Sequence, residues 1–161
     1  MTEQENTVAV EIERKFLVTG DAWRNGSGVL YRQGYLNRDK VRTVRVRIAG
    51  DAAFLTIKGQ SVGASRAEFE YPIPVADAHA LLALCDGPLI EKTRYLVPHA
   101  GHQWEVDEFA GDNAGLVVAE LELVSEDEAF ESPAWLGEEV THDARYFNSN
   151  LATHPFCAWA K

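Results

Sequence analysis

Charged side chains recur along this chain in same-sign pairs two residues apart. Glu11/Glu13, Glu68/Glu70, Glu105/Asp107 and Glu120/Glu122 are acidic pairs, and Arg45/Arg47 and Lys92/Arg94 are basic ones. Lys15 and Lys58 add two further cations in similar surroundings. In an extended strand, residues i and i+2 share a face, so each pair sets like charges side by side, where they repel. A fold that keeps six such pairs must meet them with counterions. Clustered cations suit a polyanion. Clustered carboxylates cannot bind a polyanion directly, so they call for a hard divalent cation with oxygen ligands, Mg²⁺ or Mn²⁺, in between. The charge pattern alone therefore points to a metal-dependent site for a phosphate chain.

These pairs lie in segments of period-two alternation, which predict strands near 10–18, 29–37, 42–49, 52–59, 66–74, 90–97, 102–109 and 116–124. Seven of the eight carry charge on one face and mostly apolar residues on the other. Val44, Val46 and Ile48 oppose the arginines, Leu55 and Ile57 oppose Lys58, and Trp104 opposes Glu105. A single such strand reads as a sheet with a dry face and a wet outer face. Across seven strands the same-sign pairing favours a sheet that closes with the charged face inward. Eight carboxylates and six cations line that face. Buried without partners they would cost several kcal/mol per ion, so the lumen must hold water and a charged ligand.

Gly50-Asp51 and Gly111-Asp112-Asn113 read as turns, and 59–64 as a flexible connection. A helix is predicted over 75–85, stopped by Asp86-Gly87-Pro88. Ser125 with Glu128 resembles a capping box and predicts a short helix after the last strand. Residues 141–153 read as a final helix, with Tyr146, Phe147 and Leu151 roughly on one side. Eight antiparallel strands with few helices make a mainly β (α+β), barrel-like sheet.

With 161 residues and 46% apolar composition, the expectation is one domain over 1–161, with 1–8 a tail. The net charge of −10 argues against general nucleic-acid binding, which needs surplus positive charge. No apolar run approaches a membrane span, and the first residues form no basic-then-apolar leader, so a cytoplasmic protein is expected. Cys85 and Cys157 are too few and too far apart for a disulfide framework or a cysteine-ligated zinc site, and read as packing residues. His79, His99, His102, His142 and His154 show no metal-ligand spacing.

The segment Glu11-Ile12-Glu13-Arg14-Lys15-Phe16-Leu17 resembles the ExExK signature of the CYTH superfamily, the triphosphate tunnel metalloenzymes. Arg45-x-Arg47, Thr56-Ile57-Lys58, Glu68-x-Glu70, Glu91-Lys92-Thr93-Arg94-Tyr95, Glu105-x-Asp107 and Glu120-x-Glu122 follow in the family's order. Gly137-Glu138-Glu139-Val140-Thr141, with Asp143, Arg145, Tyr146 and Asn148, is similar to the tail of small bacterial members. The likeness spans Val10 to Leu151.

It implies an eight-stranded antiparallel closed barrel with a few peripheral helices, whose tunnel binds triphosphate. It implies phosphate-chain binding by Lys15, Arg45, Arg47, Lys58, Lys92 and Arg94, and metal binding by Glu11, Glu13 and Glu122. Glu68, Glu70, Asp107 and Glu120 are candidates for a second metal or for orienting water. Lys15, Tyr35, Glu70 and Glu120 are the candidates for catalysis. Tyr35 either faces the tunnel near Lys15 or packs in the core. Arg145 is expected to pair with Asp143 or Glu139. The inward positions show no obvious aromatic pocket for a base or a thiamine ring.

The implied activity is hydrolysis of inorganic triphosphate with Mg²⁺ or Mn²⁺, by a monomer or homodimer that binds neither nucleic acid nor membrane. The alternatives are a class IV type adenylate cyclase, a thiamine or nucleoside triphosphatase, and a non-catalytic polyphosphate binder.

Overall fold

The computed structural model describes residues 9–26 and 28–159. The expected tail, residues 1–8, lies outside them. Nine strands run in the order β1 (Val10–Val18), β2 (Val29–Asn37), β3 (Arg42–Ala49), β4 (Ala52–Gly59), β5 (Ser65–Ile73), β6 (Ile90–His99), β7 (His102–Phe109), β8 (Val117–Glu122) and β9 (Leu136–Glu139). Two α-helices accompany them, α1 (Val75–Ala83) and α2 (Asn148–Leu151).

Every pairing is antiparallel, in the spatial order β5-β4-β3-β2-β6-β7-β8-β1-β9. A further β5–β1 pairing, Val10↔Ala67 to Ile12↔Ser65, closes the first eight into a barrel. The eight predicted strands are all present, and the same-sign pairs share its inner face.

Apolar packing lies largely outside the barrel wall. Phe16, Trp104, Val106, Leu121 and Trp135 form one cluster on β1, β7 and β8 beneath the 123–136 segment. Val46, Ile48 and Ala53 pack with Ala78 and Leu82 of α1 in another. The segment that follows α1 leans so closely on β2 that a Cβ at Gly34 would sit 2.6 Å from Leu89 and 2.9 Å from the Cys85 sulfur.

A third cluster differs. Leu17, Ile90, Phe109 and Val118 share the parity of the inward charges on their strands, and they pack with Val140, Tyr146, Leu151 and Ala152. Here the inner face turns apolar, and the C-terminal segment plugs that end of the barrel.

Two local expectations need correction, and one strand is unexpected. Ser125 and Glu128 form a turn, not a helix: the Glu128 amide donates to the Ser125 carbonyl, and its carboxylate accepts from the Val124 amide at 2.9 Å. That carboxylate also meets the His102 ring, so it is spent on holding two segments together.

The 141–153 helix is broken. A 3₁₀ turn over Ala144–Tyr146 gives way at Phe147, whose backbone is extended (φ −70°, ψ 132°), before α2 begins. Finally, β9 has too little alternation to be read beforehand. It pairs with β1 across Phe16↔Glu139 and Val18↔Leu136, fastened by a fork from Arg14 to Glu139 at 2.6 and 2.8 Å. Gly137 permits this approach, since a Cβ there would lie 3.0 Å from the Leu17 carbonyl oxygen.

Candidate active site

The lumen is a cavity of about 600 Å³. Of the fourteen distinct residues picked out for the site, all but Asp107 line it. Ladder register explains the convergence. Glu13 faces Glu122 and Lys15 faces Glu120 across β1–β8, Tyr35 faces Arg45 across β2–β3, and Lys58 faces Glu68 across β4–β5.

Most of the cations are paired. Lys58 Nζ lies 2.6 Å from Glu11 and 3.6 Å from Glu68. Lys15 Nζ sits 3.8 Å from Glu120 and 3.9 Å from Glu13, over the ring of Phe147. Arg45 Nη2 reaches Glu70 at 3.8 Å and donates to Thr56 at 3.3 Å, while its Nε is buried without a hydrogen-bond partner. That orphaned donor suits a phosphate oxygen.

Asp107 departs from the expectation of a metal ligand. It is fully buried, one layer below the lining, and accepts two hydrogen bonds from Arg94 at 2.8 and 2.9 Å. Lys92 Nζ takes its second oxygen at 2.7 Å. Burial alone would raise this carboxyl, but Arg94 and Lys92 outweigh it and hold it well below the usual range. Its oxygens are occupied by two cations, which makes it an internal counterion. Arg94 also pairs with Glu105 at the lining. For Lys92, burial, joined by Arg94 and Arg47, outweighs Asp107 and Glu120 and brings it down to about 7.

Several lining residues were missed. Arg66 pairs with Glu11 at 3.7 Å and shares the parity of Glu68 and Glu70, so the alternation already marked it. Tyr31 shares the parity of Tyr35. Thr141, His142, Phe147, Asn148 and Ser149 come from the irregular C-terminal segment, which carries no periodic signal. Tyr31, Tyr35, Phe54 and Phe147 place four aromatic rings on the lining, where the sequence shows no obvious aromatic pocket for a base or a thiamine ring. Arg145 pairs with Asp143 at 2.6 Å on the surface, as expected.

Residues 9–154 match the CYTH domain. This chain belongs to the CYTH family. It is 54% identical to an inorganic triphosphatase of Acetivibrio thermocellus, over 91% of this chain and 95% of that protein. It is 43% identical to an inorganic triphosphatase of Nitrosomonas europaea, over 88% of this chain and 96% of that one. Its fold matches the crystal structure of the inorganic triphosphatase NE1496 with a TM-score of 0.63 at 40% identity, covering 88% of this chain and 97% of that one.

The donor set of this CYTH barrel fits a hard divalent cation. Burial, with Glu120 and Glu11 close by, pushes Glu13 well above the usual carboxylate range. Burial and Glu11 raise Glu68 and Glu122 in the same direction. Carboxyls crowded this way are relieved by a cation. Among the described residues, no three Asp, Glu, His or Cys side chains converge as a ready-made cage. Glu11 is turned toward Lys58, with burial opposed and overcome by that lysine, which keeps its carboxyl ionised.

Proposed function

We propose that this chain hydrolyses inorganic triphosphate to pyrophosphate and phosphate, with a divalent metal ion. The reading is carried by one observation: seven cations and seven carboxylates line a single barrel lumen, in a CYTH chain 54% identical to an inorganic triphosphatase. The acidic net charge and the enclosed lumen suit a small polyanion rather than a nucleic acid. No helix among the described residues is long and apolar enough to cross a membrane; we place the reaction in the cytoplasm.

In this reading Lys15, Arg45, Arg47, Lys58, Lys92 and Arg94 grip the phosphate chain. Arginine forks address two oxygens at once, while lysines act as point charges. Glu11, Glu13 and Glu122 would hold the metal, Mg²⁺ or Mn²⁺, which when bound neutralises charge developing on the phosphoryl oxygens. Glu68, Glu70 and Glu120 remain to take a second cation or to accept a proton from the attacking water. Tyr35 lines the wall opposite Arg45 and orients that water or narrows the space for larger substrates. Phosphoryl transfer depends mostly on positioning and electrostatics, and a lumen of fixed charges supplies both.

The test is phosphate release from tripolyphosphate, pyrophosphate, ATP and thiamine triphosphate, with Mg²⁺, Mn²⁺ or chelator, beside Glu13→Ala. Metal-dependent turnover of tripolyphosphate, lost by at least about a hundredfold in the variant, is expected. Phosphate from none of the four would overturn the reading. Cyclic AMP from ATP would then mark a cyclase, and tight binding without product a polyphosphate binder.

A further inference from the structure

Arg47 stands apart from the other cations of the lumen. Lys15, Arg45, Lys58, Arg66, Lys92 and Arg94 each have a carboxylate within 4 Å. Among the described residues, Arg47 has none. Instead, Arg47 Nε donates to Gln33 Oε1 at 2.8 Å. Gln33 is fully buried on β2 behind the lining, and its Nε2 donates to Asn148 Oδ1 at 3.2 Å. The same Asn148 oxygen accepts from Lys92 Nζ at 3.0 Å. Arginine and lysine can only donate here, so both amides have a fixed orientation.

A second neutral contact completes the setting. Tyr31 stands on β2 between the strands that bear Arg47 and Arg94, and its ring centroid is 4.8 Å from one guanidinium carbon and 4.7 Å from the other. The ring attracts both cations and keeps them apart.

We propose that Gln33 and Tyr31 are positioning residues that fix Arg47 without neutralising it, so that the substrate itself supplies the missing counterion. This inference rests on the triphosphate reading and deepens it. A carboxylate at position 33 would give the guanidinium an equally good hydrogen bond, but it would cancel the charge and could not donate to Asn148 Oδ1. Glutamine supplies the geometry alone. Burial and the neighbouring Arg45 and Arg94 already bring Arg47 down to about 10, as expected for a cation whose compensation arrives from outside. The two terminal nitrogens, Nη1 and Nη2, hydrogen-bond to no protein group among the described residues, which leaves the fork open for phosphate oxygens. Because the Gln33–Asn148 link also touches Lys92, two cations from β3 and β6 are set by one uncharged chain of amides.

The experiment compares wild type, Gln33→Glu, Tyr31→Leu and Tyr31→Phe, with Mg²⁺ and tripolyphosphate, resolving KM from kcat and recording thermal midpoints. Gln33→Glu is expected to keep a thermal midpoint within a few degrees of wild type and to raise KM about tenfold or more, with a smaller change in kcat. A packing role alone would lower the midpoint and leave KM in place, and that result would overturn the proposal.

Should Gln33→Glu fail to fold, the tyrosine pair decides. Tyr31→Leu is expected to raise KM at least about fivefold, and Tyr31→Phe, which keeps the ring, to recover it. An unchanged KM in Tyr31→Leu would overturn the proposal. The parent reading fails separately: if wild type neither binds nor cleaves tripolyphosphate, that reading falls and this one with it. If wild type does both and the variants match it, only the proposal falls.

Discussion

Glu13 is the residue where stability and chemistry conflict most. Its carboxyl is raised by burial and by Glu120 and Glu11, so in the absence of metal its ionisation works against the fold. The sign follows from linkage: a group whose pKa is raised on folding favours the fold fully below its ordinary value, and that contribution is lost as pH rises through the raised one. Glu13→Gln should therefore be more stable than wild type in chelator, by a margin that widens as pH climbs above the ordinary carboxylate range. Denaturation midpoints across pH check this. The same variant should lose the tightening of Mg²⁺ binding with pH that wild type is expected to show, measurable by calorimetry. Asp107 behaves oppositely. Held below the usual range by Arg94 and Lys92 against the cost of burial, it stabilises the fold above the unfolded carboxylate pKa, and that contribution fades only in strong acid. Among the described residues, Asp107→Asn leaves buried Lys92 with no carboxylate within 4 Å and takes from Arg94 its bidentate partner, and a loss of about 3–5 kcal/mol in urea unfolding is expected.

At the scale of elements, the parity of charge was enough to read eight strands and most of the lumen. Arg45, Arg47, Lys92 and Arg94 could be assigned to one surface because period two leaves no other choice once the strand is granted. What lay beyond reach was whatever depended on contacts far apart in sequence. Asp107 has the same parity as Glu105, yet only the fold shows that one reaches the cavity while the other is sealed beneath it. The plug was hidden because Phe147 breaks the helix that Tyr146 and Leu151 suggested. Strand β9 was hidden because Gly137 and Arg14 act through β1, not through local pattern. Two predictions belong here. Leu151→Ala opens a cavity in the plug, where Leu151 is almost wholly buried, and should cost about 2–5 kcal/mol, with faster hydrogen exchange over 144–152. Gly137→Val should push β9 from β1 and cost about 1–3 kcal/mol, read by chemical denaturation.

For the whole molecule, the usual arrangement is turned inside out. Apolar side chains coat the barrel's exterior under α1 and the connecting segments, while the interior carries charge. Such an interior gains most when its ligand arrives. A non-hydrolysable imido analogue of tripolyphosphate, supplied with Mg²⁺ at a hundredfold excess over Kd, should add about 2.7 kcal/mol to stability. For a chain of this length that is roughly a 5–10 °C rise in thermal midpoint, which differential scanning fluorimetry would detect. The hydrophobic plug carries a consequence of its own. A barrel stoppered at one end is a blind alley, so substrate enters and products depart by the same doorway. Whichever fragment lies deeper must wait for the outer one to clear the passage. The order of release is then set by position in the queue rather than by which fragment is held more tightly.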